Sequence, residues 1–177
     1  MTLHKRNFVI ILIVLAVAGM AIYGLTGPVK PPSTQAEKPA TGVLIGNLLP
    51  KFQLAGLDGT ATSVGVPGKI TVLNFWATWC PPCRAEMPEL NEFVRQYGSS
   101  VDFYAINIQE SPEKVTAFLA QGNLIMPVLF DKDGTVAQTF RVSAIPTTLI
   151  TDKTGVIRFR KAGAVTMSEL EKIIKEL

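Results

Sequence analysis

Apolar residues fall along this chain in regions of contrasting pattern. From Phe8 to Leu25 there are 18 residues without a charge and without a polar face, at the lower limit for a helix that crosses the hydrocarbon layer of a bilayer. From Thr26 the periodicity disappears, and Pro28, Pro31, Pro32 and Pro39 stand among small and polar residues. Such a stretch cannot bury enough surface to fold, so residues 26–41 are expected to form a semi-extended tether. Residues 42–177 then alternate short apolar runs with helical spacing, as an α/β domain does.

Within that domain, Ile70 to Phe75 and Val101 to Ile108 read as buried strands, because their apolar runs are nearly continuous. Cys83 to Tyr97 has helical spacing and meets Gly98, a natural helix stop. Ser111-Pro112-Glu113 starts a second helix with a capping hydroxyl and a proline at its first position, and Gly122 follows its end. Val128 to Phe130 is a short strand closed by the turn Asp131-Lys132-Asp133-Gly134, and a short helix is expected after it. Thr147 to Ile150 and Val156 to Phe159 flank a Thr151–Gly155 turn as a hairpin. Ser168 to Leu177 is a final amphipathic helix, and Phe52 to Val64, broken at Leu57-Asp58-Gly59, is an additional N-terminal hairpin. The order predicts a mixed sheet covered by helices on both faces.

Charge changes the picture at the N-terminus. His4-Lys5-Arg6 precede the apolar run, and basic residues stay on the cytoplasmic side. Residues 1–7 are therefore expected in the cytoplasm, 8–25 in the bilayer and the domain on the outer face. A cleaved signal peptide is the rival reading, with small residues around Gly19-Met20-Ala21. An uncleaved anchor is favoured because the run exceeds a typical signal core and meets no helix breaker until Gly27-Pro28. Past residue 42 the chain holds 13 of its 17 basic and 13 of its 14 acidic residues, so no basic face is expected to attract nucleic acid.

Composition narrows the chemistry. The single histidine, His4, excludes a Ser-His-Asp triad and a histidine-rich metal site, and two cysteines cannot make a disulfide scaffold or a four-thiolate zinc site. What stands out is Trp79-Cys80-Pro81-Pro82-Cys83, where a buried strand hands over to a helix. At that junction the helix amides and dipole favour a Cys80 thiolate, and Cys83 lies nearly one turn on, near enough to close a small disulfide ring. A structural disulfide across two residues would constrain little chain, and a c-type haem site would need His where Arg84 stands. Two inert thiols would have no reason to bracket Pro-Pro at a helix start. No cofactor or metal is expected. Cys80 would attack a substrate disulfide, and Cys83 would resolve the mixed disulfide.

Glu86 adds an acid to that pair. At about 100° per residue, Cys83, Met87, Leu90, Phe93, Val94 and Tyr97 fill a stripe of roughly 220–340° from Cys80, and Glu86 falls inside it at about 240°. A carboxyl on that apolar side should be desolvated and its pKa raised, so that it could trade a proton with the cysteines. The competing reading is a partly exposed acid paired with a nearby base. Asn74, six residues before Cys80, is an amide and cannot accept a proton. Glu110 follows Asn107-Ile108-Gln109 at a strand's end and reads as a solvated loop acid, the alternative being a group that serves the site.

The run Leu73 to Pro88, LNFWATWCPPCRAEMP, resembles the TlpA/ResA-like thiol–disulfide oxidoreductases of the thioredoxin superfamily, and the resemblance covers residues 42–177. It implies a thioredoxin fold with an N-terminal hairpin extension and a glutamate at position 86 that tunes the thiols. It also implies a cis Pro146 facing the disulfide and an Ile145 backbone that pairs with extended substrate. From the residues alone, a proline just ahead of a strand merely permits the cis form. Trp79 is most simply rim packing and could belong to the docking surface. The related AhpC/TSA peroxidases need Pro and Thr where Leu73 and Ala77 stand, so peroxidase chemistry is not expected.

The resemblance further implies a monomeric protein of a bacterial cytoplasmic membrane that acts on a disulfide-bearing protein, such as an apocytochrome c with its haem-binding cysteines. Its electrons would come from a membrane-embedded thiol donor. Pro81 and Pro82 offer no N–H to the Cys80 sulfur, so the expected direction is electron donation rather than oxidation. The alternatives are a copper(I)-binding thiol carrier and a general extracytoplasmic disulfide exchanger.

Overall fold

The sheet is organised by Ile70–Trp76, whose seven residues are all buried. A strand buried on both faces cannot alternate polar with apolar, which is why this one reads as a nearly continuous apolar run. A computed structural model describes residues 38–177. Its strands are β1 (Phe52–Gly56), β2 (Ala61–Val64), β3 (Ile70–Trp76), β4 (Val101–Ile108), β5 (Val128–Asp131), β6 (Thr147–Thr151) and β7 (Ile157–Ala162). Its helices are α1 (Pro81–Tyr97), α2 (Pro112–Gln121), α3 (Thr135–Thr139) and α4 (Met167–Lys175). They form one seven-stranded mixed sheet in the order β2-β1-β5-β4-β3-β6-β7. β3, β4 and β5 run parallel, and the flanking pairs are antiparallel.

Side-chain alternation along β3 sorts the core into two layers. Val72 and Trp76 pack with Met87, Leu90 and Phe93 of α1, Val115 and Leu119 of α2, and Leu170 of α4. Leu73 and Phe75 point the other way, onto Ala137 of α3, Phe140 and the N-terminal residues Val43 and Leu49. Asn74 shares the parity of Val72 and Trp76, so the one amide in this strand is delivered to the α1 face. The parallel register sets Trp76 against Asn107, which brings the C-terminal ends of β3 and β4 side by side.

The expected elements are present, with displaced ends. α1 begins at Pro81 rather than Cys83, because a proline in the first turn lacks only an N–H that the helix would leave unpaired. The last strand runs over Ile157–Ala162 rather than Val156–Phe159. Val156 instead bridges Leu48, and Arg158, Arg160 and Lys161 sit on an edge strand, where charges are tolerated and hide the strand pattern. The anchor expected at 8–25 and the tether up to residue 37 lie outside the described residues. Among the described residues no helix is long and apolar enough to cross a membrane.

Candidate active site

β3 ends at Trp76, and the chain turns through Ala77–Cys80, closed by the Cys80 N–H donating to the Ala77 carbonyl at 3.2 Å. Cys80 is the N-cap of α1, with extended backbone, and its carbonyl accepts the Arg84 N–H at 3.1 Å. A helix start leaves amides pointing outward without partners. Here Pro81 and Pro82 remove two of them, and the Cys83 N–H is directed at the Cys80 sulfur, 3.3 Å away. Cys80 and Cys83 are joined as a disulfide, with their Cα atoms 5.3 Å apart.

A second segment faces this disulfide. The Ile145–Pro146 peptide is cis, and the Ile145 carbonyl oxygen lies 3.6 Å from the Cys80 sulfur. Trp79, 63% exposed, stands beside it. Trp79 and Ile145, with Ile108, Gln109, Ala137 and Val142, line an open groove of about 490 Å³. The structure thus brings Trp79, Cys80, Cys83, Ile145 and Pro146 together, although they span 68 positions of sequence.

Glu86 lies one turn beyond Cys83, on the inner face of α1, and is only 3% exposed. Its Oε1 accepts from Asn74 Nδ2 at 2.9 Å and its Oε2 from the Val165 N–H at 2.9 Å. Burial pushes its pKa above the ordinary carboxylate value, opposed by the Val165 N–H, by Asn74 and by the charge of Lys161. Asn74 is the member of this cluster that sequence reasoning underrated. It cannot take a proton, but its amide also donates to Thr148 Oγ1 at 3.1 Å, tying the acid to β3 and to the strand that follows Pro146.

Glu110 corrects an expectation. It is not a solvated loop acid, since its side chain is only 3% exposed. Its carboxylate accepts from the Thr78 N–H at 2.7 Å, Thr78 Oγ1 at 2.6 Å and Asn107 Nδ2 at 2.9 Å, and pairs with Lys114 at 2.7 Å. Burial alone would raise its pKa, but Lys114, Thr78 and Asn107 together outweigh it and hold the group down at about 2. Thr78 went unnoticed because nothing local marks it. The usable signal was the parallel pairing of β3 with β4, which makes the residues just past each strand end neighbours. Among the described residues, no group of three or more His, Cys, Asp or Glu side chains stands close enough to hold a metal ion.

Comparison with known proteins places this geometry. The model of the AhpC/TSA family matches residues 45–160. The thioredoxin-like protein YneN of Bacillus subtilis is 37% identical over 77% of this chain and 82% of its own length. The thiol-disulfide oxidoreductase ResA of Geobacillus kaustophilus is 31% identical over 95% of this chain and 92% of its own. Among solved structures, StoA from Bacillus subtilis superposes with a TM-score of 0.63 at 27% identity, covering 70% of this chain and 95% of that one.

Proposed function

Because the chain belongs to the AhpC/TSA family and is a thiol–disulfide oxidoreductase of thioredoxin-like fold, we propose that it acts as a membrane-tethered reductase of protein disulfides outside the cytoplasm. In this reading residues 1–7 lie in the cytoplasm, 8–25 anchor the protein, 26–41 space it from the bilayer and 42–177 carry the chemistry. Peroxidase chemistry is not part of it, since Leu73 and Ala77 are buried apolar residues where a peroxide-reactive site would need proline and threonine.

The observation that carries the proposal is the Cys80 sulfur at the N-cap of α1, held by the Cys83 N–H and facing the Ile145 carbonyl. In the reduced protein, the Cys80 thiolate attacks one sulfur of the substrate disulfide. The substrate S–S bond breaks, a mixed disulfide forms, and the departing substrate thiolate takes up a proton. Glu86 in its ionised form receives the proton of Cys83, which then attacks the Cys80 sulfur. The second substrate thiolate leaves, the substrate has gained two electrons, and the Cys80–Cys83 disulfide remains. A membrane-embedded thiol donor returns the pair to the dithiol. Trp79, Ile145 and Pro146 form the bank on which an extended substrate strand lies. An apocytochrome c, whose haem-binding cysteines must be reduced, fits such a partner.

The amide count supports a direction of transfer. A strong oxidant needs a heavily stabilised thiolate in its reduced form. Pro81 and Pro82 leave one first-turn amide on the Cys80 sulfur, so reduction of substrate is the favoured direction. Cys83→Ala expressed in cells should accumulate mixed disulfides through Cys80, whose partner identifies the substrate. No adduct, together with copper retained on purification and no insulin reduction by the unaltered protein, would establish the copper(I) carrier instead.

A further inference from the structure

Thr78 sits second in the Ala77–Cys80 turn that delivers the reactive sulfur, and both its N–H and its hydroxyl donate to one carboxylate. That carboxylate belongs to a different strand connection. β4 ends at Ile108, and Gln109 adopts a left-handed backbone (φ 55°) with its N–H held by the Asp131 carbonyl at 3.0 Å. A left-handed glutamine is strained, and such conformations persist where the surroundings enforce them. The chain leaves the sheet there, and the next residue, Glu110, reaches Thr78 of the neighbouring strand end. Asn107 and Lys114 complete its hydrogen bonds, so the carboxylate is fixed from four directions.

We propose that Glu110 is a positioning residue for Cys80: by gripping Thr78 through both its N–H and its hydroxyl, it sets the turn that keeps the Cys80 sulfur in line with the Cys83 N–H and the Ile145 carbonyl. This rests on Cys80 being the nucleophile. The turn is closed at its ends by the Cys80 N–H on the Ala77 carbonyl, but of its two middle residues Trp79 is exposed and Thr78 is held through Glu110. Loss of the grip lets the N-cap geometry relax, and the sulfur then spends less time against its amide donor. The role is geometric rather than catalytic, because no proton or electron passes through Glu110.

Glu110→Ala and Glu110→Gln separate position from charge. The glutamine oxygen can accept from the Thr78 N–H and Asn107 while its NH₂ donates to Thr78 Oγ1, with the half-exposed Lys114 turning to water. At neutral pH, well below the melting temperature, Cys80 in reduced Glu110→Ala should alkylate about tenfold more slowly than in the unaltered protein, the change that a tenfold smaller thiolate fraction gives. Glu110→Gln should restore most of that rate. Thr78→Val, which keeps the backbone contact and loses the hydroxyl, should fall between the two and serves if the alanine variant does not fold. Alkylation unchanged in Glu110→Ala and Thr78→Val, with only the melting temperature lowered, would overturn the proposal. So would equal slowing by alanine and glutamine, since charge alone would then account for it. The unaltered protein is the separate control: an unreactive Cys80 there would refute the nucleophile reading itself, whatever the variants do.

Discussion

Glu86 and Glu110 bracket the cysteine pair from different elements, Glu86 a turn after Cys83 on α1 and Glu110 on the connection after β4, against the loop before Cys80. Both side chains are withdrawn from water, yet their proton affinities move in opposite directions. Glu86 receives two hydrogen bonds and feels the charge of Lys161 without an ion pair to it, and burial prevails. Glu110 receives three hydrogen bonds and a lysine at 2.7 Å, and the donors prevail. The direction is set at each acid by the balance between burial, which is deeper at Glu86, and the number and charge of its donors, which are greater at Glu110. One carboxyl is left with its proton held more tightly than an ordinary carboxylate holds it. The other is a permanent anion that serves as a peg.

The contrast breaks most visibly at Glu86. Glu86→Gln should lower the rate of disulfide reduction about a hundredfold, the usual scale for losing a positioned acid–base group. The limb of the pH–rate profile that rises as Glu86 ionises should vanish with it. Stability should move the other way. Below the ordinary carboxylate range Glu86 is protonated whether the chain is folded or not, but as pH rises through its raised folded value the fold must hold a buried charge. Denaturant titrations should therefore show Glu86→Gln gaining on the unaltered protein as pH rises.

Glu110 gives the opposite dependence. Its stabilisation is complete above the ordinary value of 4.5 and is lost as pH falls toward about 2. In acid unfolding monitored by circular dichroism, Glu110→Gln should start less stable at neutral pH and lose less on the way down. A variant whose acid limb matched that of the unaltered protein would show that Glu110 is not the depressed acid. The smallest effect is expected at Asn74. Asn74→Ala removes a donor to the Glu86 carboxylate, so the rising limb should move to higher pH and the rate at neutral pH should fall a few fold. A limb displaced to lower pH would contradict the donor role.

These residues mark the reach of sequence reasoning. The sheet, its helices and the cysteine pair were legible because each is a local pattern: an apolar run, a helical stripe, a C-x-x-C at a strand-to-helix junction. Glu86 was legible for the same reason, since a helical period alone places it on the inner face of α1. Glu110 and Thr78 were not, because their association depends on the register between β3 and β4 across 32 positions. Asn74 was half legible: its inability to take a proton could be read from its chemistry, but its service to Glu86 needed the pleat of β3 and the placement of α1 together. The residues expected at the N-terminus obey a simpler limit, since hydropathy predicts the anchor and the described residues begin beyond it.

The cysteine pair is expected to give electrons rather than take them, because its N-cap sulfur has one amide partner where a stronger oxidant would have more. Equilibration of the purified protein with glutathione or dithiothreitol buffers measures this directly. A midpoint potential below about −180 mV is the expected result, and a value near −120 mV, at the strongly oxidising end of the thioredoxin-like range, would contradict it.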